Sequence, residues 1–188
     1  MLDVKETPLP GVMLLMPRRF SDARGWFTET WNARRMADAC LDFAFVQDNH
    51  SFSAEPGILR GLHFQKPPRA QDKLVRCSRG AIFDVAVDGR RGSATYGQWT
   101  GAELSAENGH QLLVPKGFLH GFVTLVADTE VQYKCTDVYA PDCDGAVLWS
   151  SCGIDWPLPG RDPVLSDKDR EAQPFADFET PFVAGPQP

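Results

Sequence analysis

The segment that decides the fold is Gly109-His110-Gln111-Leu112-Leu113-Val114-Pro115-Lys116-Gly117-Phe118-Leu119-His120. Its pattern is G-x5-P-x-G-x2-H, in which a short apolar run, a turn and a second extended run lead to a histidine. Upstream, Gly57 and His63 have the spacing that opens a companion pattern, G-x5-H-x-H…E-x6-G. In this chain Gln65 replaces the second histidine of that pattern, and Lys73 replaces its glutamate.

These two patterns resemble the paired signatures of the cupin superfamily, whose barrels bind a metal through three histidines and one glutamate. The equivalent positions here are His63, Gln65, Lys73 and His120. A lysine ammonium has no lone pair to donate to a metal. A fixed cation in such a cavity can still stabilise an oxyanion. The exchange therefore predicts no metal, no cofactor, and proton transfer next to a carbonyl group.

The composition predicts one globular domain over residues 1–188, because 188 residues at 43% hydrophobic content suffice for a sizeable core. A formal net charge of -6 argues against nucleic acid as a partner. No apolar run reaches membrane-spanning length, and residues 1–6 lack signal-peptide features, so we expect no membrane partner. Five cysteines without a C-x-x-C pair predict reduced thiols in the cytoplasm.

Sixteen glycines and fifteen prolines are spread between short alternating runs, which is typical of many strands joined by turns. We expect a mainly β jelly-roll barrel with a few short helices. Residues 74–77 and 81–87 should pair across a turn at 78–80. Strict alternation along residues 58–65 should place four residues on one face, Leu59, Gly61, His63 and Gln65.

Two helical segments are expected. Asn32 is a suitable N-cap for a helix over residues 32–40, and Ser166 is a suitable N-cap for a helical turn over residues 166–170. The last residues, 175–188, are expected to form a surface tail.

His63 is the candidate general base, because a neutral imidazole in a metal-free cavity can accept a proton near neutral pH. A carboxylate on its other ring nitrogen would stabilise the imidazolium. Both Asp84 and Asp169 are candidates for that partner. His120 fits two interpretations, a vestigial metal ligand or a hydrogen-bond donor to a ligand.

A local excess of positive charge surrounds Lys73. Residues 60–80 contain six lysines and arginines against the single acid Asp72. Some of these cations fit solvated strand edges. The others fit an anionic ligand, with Arg60 on a phosphate and Lys73 on an enolate oxygen. Tyr133 completes the set if its phenol faces His63 across a substrate, because one face would then lose a proton and the other gain one.

Seven motifs in fixed order carry a more specific resemblance, to the dTDP-4-dehydrorhamnose 3,5-epimerase family. They run over most of the chain, from Phe20 to Asp169. The motifs are Phe20-x-Asp22-x-Arg24-Gly25-x-Phe27-x-Glu29, Gln47-Asp48-Asn49-x-Ser51, Leu59-Arg60-Gly61-Leu62-His63-Phe64-Gln65, Lys73-Leu74-Val75-Arg76, Pro115-x-Gly117-Phe118-x-His120-Gly121-Phe122, Tyr133-Lys134-x-Thr136-Asp137 and Leu165-Ser166-x-Lys168-Asp169.

The resemblance implies a homodimer without metal that converts dTDP-4-dehydro-6-deoxy-D-glucose to dTDP-4-dehydro-L-rhamnose. This reaction would belong to dTDP-L-rhamnose biosynthesis for lipopolysaccharide or another cell-surface polysaccharide. It also implies that His63 is the base, paired with Asp169, that Lys73 stabilises the enolate, and that Tyr133 is the opposite-face proton donor. The implied substrate-binding positions are Arg24, Glu29, Gln47, Asn49, Arg60, His120, Asp144 and Lys168.

Three alternatives remain open at the level of sequence. A metal-dependent cupin would contain stoichiometric metal. A non-catalytic cupin would bind a nucleotide sugar or another small anion without exchanging its hydrogens. An epimerase that inverts one carbon, at C3 or C5, of a related dTDP-4-keto sugar would label one ring carbon rather than two.

Overall fold

The computed structural model describes residues 2–185, which fold into two antiparallel sheets and a separate hairpin. In spatial order, the first sheet consists of β1 (Leu2–Glu6), β2 (Met13–Pro17), β10 (Gln111–Val114), β7 (Lys73–Arg79), β12 (Thr129–Cys135) and β5 (Gln47–Ser53). The second consists of β13 (Asp144–Ala146), β6 (Leu59–Gln65), β11 (Phe118–Thr124), β8 (Ala81–Asp88) and β9 (Trp99–Ser105). The hairpin consists of β3 (Arg19–Asp22) and β4 (Gly25–Thr28).

The prediction of a mainly β jelly roll is confirmed, although the sheets do not close into one hydrogen-bonded barrel within the described residues. They pack face to face instead, and the buried cluster between them draws on both. From the first sheet it takes Val75 and Val131, and from the second Ile82 and Phe122. No helix within residues 2–185 is long and apolar enough to cross a membrane.

The expected pairing of residues 74–77 with 81–87 is wrong. β7 pairs with β10 and β12 in the first sheet, whereas β8 pairs with β11 and β9 in the second. Gly80 lies between them with a φ of 75°, a left-handed conformation that glycine adopts at little cost. The short turn therefore carries the chain from one sheet to the other.

Both predicted helices are present. The first, α1 (Ala33–Asp38), is capped by the Asn32 side chain, which accepts a hydrogen bond from the Arg35 amide. It ends before Cys40, whose φ of 58° leaves the helical region. The second, α2 (Asp167–Arg170), is capped by Ser166, and 3₁₀ turns cover Pro141–Cys143 and Phe175–Asp177.

The expected surface tail is anchored within its described part, residues 175–185, although most of its residues are exposed. Phe178 and Phe182 are 7% and 6% exposed, and both rings pack against Phe64 with centroids 5.1 and 5.7 Å away. Burial of these two aromatic rings holds the segment against β6. Residues 186–188 lie outside the described part of the chain.

A β-bulge in β6 sets which side chains face the space between the sheets. His63 is opposite His120, but Arg60 is opposite Phe122, so three steps on β6 match two on β11. Strict alternation along residues 58–65 is therefore wrong across Gly61. Arg60 and His63 line the same cavity, which an unbroken strand would not permit.

The bulge requires glycine at position 61, which has a φ of 134°. A Cβ atom there would lie 2.5 Å from the Gly121 Cα atom and 2.9 Å from the His120 carbonyl oxygen. Both neighbours are backbone atoms, so neither can rotate away from the added carbon.

Gly61→Ala should lower the free energy of unfolding by about 2 kcal/mol or more, because backbone strain and overpacking add at this position. Urea denaturation of the variant and the parent protein measures the difference. Gly185→Ala is the matched control, since its added Cβ meets nothing within 4 Å. Equal unfolding midpoints for Gly61→Ala and the control would contradict the explanation.

Candidate functional site

Two adjoining cavities lie where the sheets separate beyond the apolar core. One, of about 390 Å³, is lined by β6, β11, the first sheet and α2, and the other, of about 410 Å³, extends toward β5 and β13. Both are of the size that binds small ligands. The two cavities share four lining residues: His63, Lys73, Tyr133 and Lys168. We call the first the inner cavity and the second the outer cavity.

His63 is held by Asp169. The His63 Nε2 atom lies 2.5 Å from Asp169 Oδ1, and the Ser166 hydroxyl donates to Asp169 Oδ2 at 2.8 Å. Burial by itself would raise the pKa of Asp169, but the hydrogen bonds from His63 and Ser166 outweigh it and keep the pKa below its ordinary value. The carboxylate therefore stays ionised, which fixes Nε2 as the protonated nitrogen and leaves the Nδ1 lone pair available.

Asp84, the other candidate partner of His63, contacts a different histidine. Its Oδ1 atom lies 2.8 Å from His120 Nε2, and the side chains of Asp84 and His120 are 0% and 8% exposed. The site therefore contains two histidine–aspartate pairs, whose histidines lie on the neighbouring strands β6 and β11 of the second sheet. Asp84 Oδ2 is buried without a hydrogen-bond partner within residues 2–185.

Lys73 enters the space between the sheets from the opposite wall. It is the first residue of β7, and the same inward face continues into the buried core with Val75 and Cys77. Burial lowers the pKa of the Lys73 ammonium, while the carboxylates of Asp84 and Asp144 act in the opposite direction. A cation in this poorly solvated position interacts strongly with any negative charge that develops beside it.

Tyr133 is half-buried on β12, on the same wall as Lys73, and lines both cavities. Burial raises the pKa of its phenol, so the hydroxyl keeps its proton at neutral pH. Since Tyr133 lies on β12 of the first sheet and His63 on β6 of the second, a proton acceptor and a proton donor stand on opposing walls.

Six of the eight predicted binding residues line these cavities. Arg60 and His120 line the inner cavity, Lys168 lines both, and the other three line the outer one. Those three are Gln47, Asn49 and Asp144. Lys168 and Asp144 form an ion pair across the outer cavity.

Arg24 and Glu29 do not line either cavity of this chain. The Arg24 side chain is 90% exposed at the tip of the β3–β4 hairpin, where it pairs with Asp22. Near α1, Glu29 forms an ion pair with Arg35 at 3.0 Å and accepts a hydrogen bond from Asn32 at 3.1 Å. The two residues are thus separated from the other predicted binding positions within one chain.

Two residues at the outer cavity were not singled out by their sequence motifs. Tyr139 lines this cavity and is 56% exposed, and its hydroxyl lies 3.3 Å from Asp144. An exposed aromatic residue on a loop is a common contact for ligands, and that was the available signal. Gln65, treated only as a lost metal ligand, lines the same cavity.

Asp72 has a local structural role beside Lys73. Its two carboxylate oxygens accept hydrogen bonds from the Lys116 amide and the Thr136 hydroxyl, each at 2.9 Å. The carboxylate therefore ties the start of β7 to two neighbouring loops.

The residues at the cupin metal positions do not fit a metal ion. Lys73 supplies no lone pair, and the Gln65 side chain is hydrogen-bonded to the backbone of Arg69, Val138 and Ala140. Within residues 2–185, no three His, Cys, Asp or Glu side chains form a group that could hold a metal.

Comparisons with known proteins agree with this geometry. Residues 6–177 match the family model described as dTDP-4-dehydrorhamnose 3,5-epimerase. A relative of that name from Pseudomonas aeruginosa is 52% identical over 174 residues, which cover 91% of this chain and 94% of the relative.

Two solved structures have the same fold. One is the dTDP-4-dehydrorhamnose 3,5-epimerase of Bacillus anthracis with TDP and PPi bound, 50% identical with a TM-score of 0.89, covering 93% of this chain and 99% of that one. The other is the Legionella pneumophila dTDP-6-deoxy-D-glucose-3,5-epimerase in complex with dTDP-4-keto-L-rhamnose, 39% identical with a TM-score of 0.93, covering 100% of both chains. This chain belongs to the dTDP-4-dehydrorhamnose 3,5-epimerase family.

Proposed function

We propose that this chain epimerises dTDP-4-dehydro-6-deoxy-D-glucose at C3 and C5 and so produces dTDP-4-dehydro-L-rhamnose for dTDP-L-rhamnose biosynthesis. The observation that carries the proposal is the arrangement of His63, held by Asp169 on one wall, against Lys73 and Tyr133 on the other. The name of the Pseudomonas relative and the keto sugar in the Legionella complex support it.

Both inversions depend on the same oxygen atom. The C4 ketone acidifies the hydrogens on C3 and on C5, because either carbanion delocalises onto the C4 oxygen as an enolate. One cation beside that oxygen therefore serves both steps, and we assign this role to Lys73, which lines the cavity on the wall opposite His63. No electron-accepting cofactor is required for this chemistry.

The two walls supply the two proton transfers. His63 Nδ1 takes the proton from carbon, and Asp169 stabilises the imidazolium that forms. Tyr133 returns a proton to the opposite face, since its raised pKa keeps the phenol protonated. Removal from one face and return to the other inverts the carbon.

The nucleotide end of the substrate extends into the outer cavity in this proposal. Lys168, which lines both cavities, and Arg60, which lines the inner one, are cations that suit the diphosphate. The exposed ring of Tyr139 offers a flat surface on which the thymine base can stack. Binding this distant part of the substrate fixes the sugar between His63 and Tyr133.

The proposal includes a homodimer. The hairpin that carries Arg24 also exposes three large aromatic side chains, Phe20, Trp26 and Phe27, to 46%, 58% and 68%. Such a cluster on a monomer surface is typical of an interface. We infer that the hairpin packs against a second copy and brings Arg24 and Glu29 to the cavity of that partner.

We also place the reaction in the cytoplasm. All five cysteines are unpaired, as expected for a protein of a reducing compartment.

The first prediction concerns Lys73→Met. Because burial lowers the lysine pKa, the charged side chain destabilises the folded protein below that pKa, and the effect disappears as the pH rises to 10.5. The variant should therefore unfold at higher urea concentration than the parent at neutral pH, with a smaller difference near pH 10.5. Its turnover should fall about 10²- to 10³-fold, because one oxyanion-stabilising group is lost.

Lys66→Met is the control for both stability and turnover, since Lys66 is exposed. A Lys73→Met protein that is less stable than the parent at neutral pH, or that turns over normally, would refute the assignment.

The second prediction concerns deuterium uptake from heavy water, followed by NMR at C3 and C5 of the dTDP-4-keto sugar. The parent protein should label both carbons. His63→Ala should abolish exchange at both, because the base is removed. Tyr133→Phe should impair inversion while retaining some exchange, because deprotonation remains possible.

His50→Ala and Tyr96→Phe are the matched controls, since both residues are exposed and line neither cavity. Labelling at one carbon only would identify a single-carbon epimerase, and binding without labelling would identify a binding protein. Normal exchange by His63→Ala would show that another group is the base.

The third prediction tests the shared site. His63→Ala and Arg24→Ala should each be inactive alone, but mixing the two after reversible unfolding should restore activity. Random pairing gives one intact site in each mixed dimer, so about one quarter of the parental activity should return. Size-exclusion chromatography checks that dimers re-form. No recovery in a dimeric mixture would mean that both residues serve the cavity of their own subunit.

A further inference from the structure

The segment 137–140, which carries Tyr139, is held by side chains instead of by a sheet. It lies between β12 and the 3₁₀ turn at Pro141–Cys143. Three glutamines from outside the segment bind its backbone. The hydrogen bonds are Gln71 Nε2 to the Asp137 carbonyl at 2.8 Å, Gln65 Nε2 to the Val138 carbonyl at 3.2 Å, the Tyr139 amide to Gln47 Oε1 at 2.8 Å, and the Ala140 amide to Gln65 Oε1 at 2.8 Å.

Gln65 binds this segment on both sides of Tyr139. Its amide group also donates to the Arg69 carbonyl at 2.5 Å, so both donors and the acceptor are used. The residue is 5% exposed, and a buried amide in a complete hydrogen-bond network has a single favoured orientation. Gln65 therefore acts as a rigid link between β6 and the 137–140 segment.

The same strand carries the histidine of the site. His63 lies two residues before Gln65 on β6, and both line the outer cavity. The distance from the His63 ring to Tyr139 is thus set through one strand and one side chain. Apart from the hydrogen bond of its amide to Gln47, Tyr139 has little other support, because the residue is 56% exposed and its hydroxyl has only a 3.3 Å contact with Asp144.

We propose that Gln65 is a positioning residue for substrate binding, which holds the 137–140 segment so that Tyr139 receives the nucleotide at a fixed distance from His63. The position that supplies a metal ligand in related barrels has here become the support of a binding wall. This inference rests on the proposed function for the nature of the ligand. Gln65 does not contact the reacting carbons and acts through Tyr139.

The proposal predicts a separation of binding from turnover. In Gln65→Met the side-chain length is kept but the hydrogen bonds are lost, so the segment must be ordered by the ligand at the moment of binding. We expect the Kd for dTDP, measured by calorimetry, and the KM for the keto sugar to rise about tenfold, with kcat nearly unchanged. A purely structural role would instead lower kcat and the thermal midpoint together, and that result would overturn the proposal.

A double-mutant cycle tests whether Gln65 acts through Tyr139. Tyr139→Ala removes the exposed ring, and if the proposal holds, adding Gln65→Met to that variant should weaken dTDP binding little further. Additive losses of affinity would overturn it. Gln65→Glu, which keeps one hydrogen-bond acceptor and loses the donors, provides the same comparison if the methionine variant does not fold.

Gln98→Met is the matched control, because Gln98 is an exposed glutamine outside both cavities. It should bind dTDP as the parent does, and an equal loss of affinity in this control would overturn the assignment to Gln65. The dTDP measurement is independent of catalysis. If the parent protein exchanges no deuterium but Gln65→Met still binds dTDP more weakly than the parent, the proposed function is refuted and the role of Gln65 stands.

Discussion

A lysine ammonium held between two sheets is the constraint on which the rest of the site depends. Lys73 begins the inward face of β7, and burial lowers its pKa, so the charged form is costly in the folded protein. The surrounding groups reduce that cost without cancelling it, because Asp84 and Asp144 act at a distance and Asp84 is hydrogen-bonded to His120. In the proposed mechanism an enolate oxygen supplies the missing negative charge only while the substrate reacts, which is the condition for catalysis by differential binding.

The histidine–aspartate pairs show how the same two residue types can serve different purposes. His63 is partly open to the cavity, with 32% of its side chain exposed, whereas the His120 side chain is 8% exposed. Accessibility therefore makes His63 the residue that can meet a substrate hydrogen. His120 and Asp84 form part of the wall behind it, at a position opposite His63 on the neighbouring strand.

Local patterns predicted the residue types of the site, whereas their partners depended on contacts far apart in sequence. The spacing of His63, Lys73 and His120 identified the cavity, and both helix caps followed from single residues. The choice between Asp84 and Asp169 could not be made in this way, since each lies on an element whose position only the folded chain fixes. The bulge at Gly61 and the change of sheet at Gly80 also interrupt the alternation of inward and outward side chains. In the sequence, only the glycine itself indicates each interruption.

The sequence also left open which aromatic side chains are exposed. Phe178 and Phe182 are buried, although they lie in a segment that was expected to be a surface tail. Tyr139 and the aromatic residues of the β3–β4 hairpin remain at the surface of a single chain. In the proposed function these are the places where a ligand or a second subunit completes the packing.

The contact between His63 and Asp169 joins residues that are 106 positions apart. During synthesis on a ribosome, the strands that carry the histidine emerge long before the short helix that carries its carboxylate. The imidazole therefore has no permanent acceptor for its Nε2 proton until nearly the whole polypeptide has left the exit tunnel. In the proposed mechanism, a truncated product that ends before α2 would keep His63 but lack the carboxylate that holds its ring.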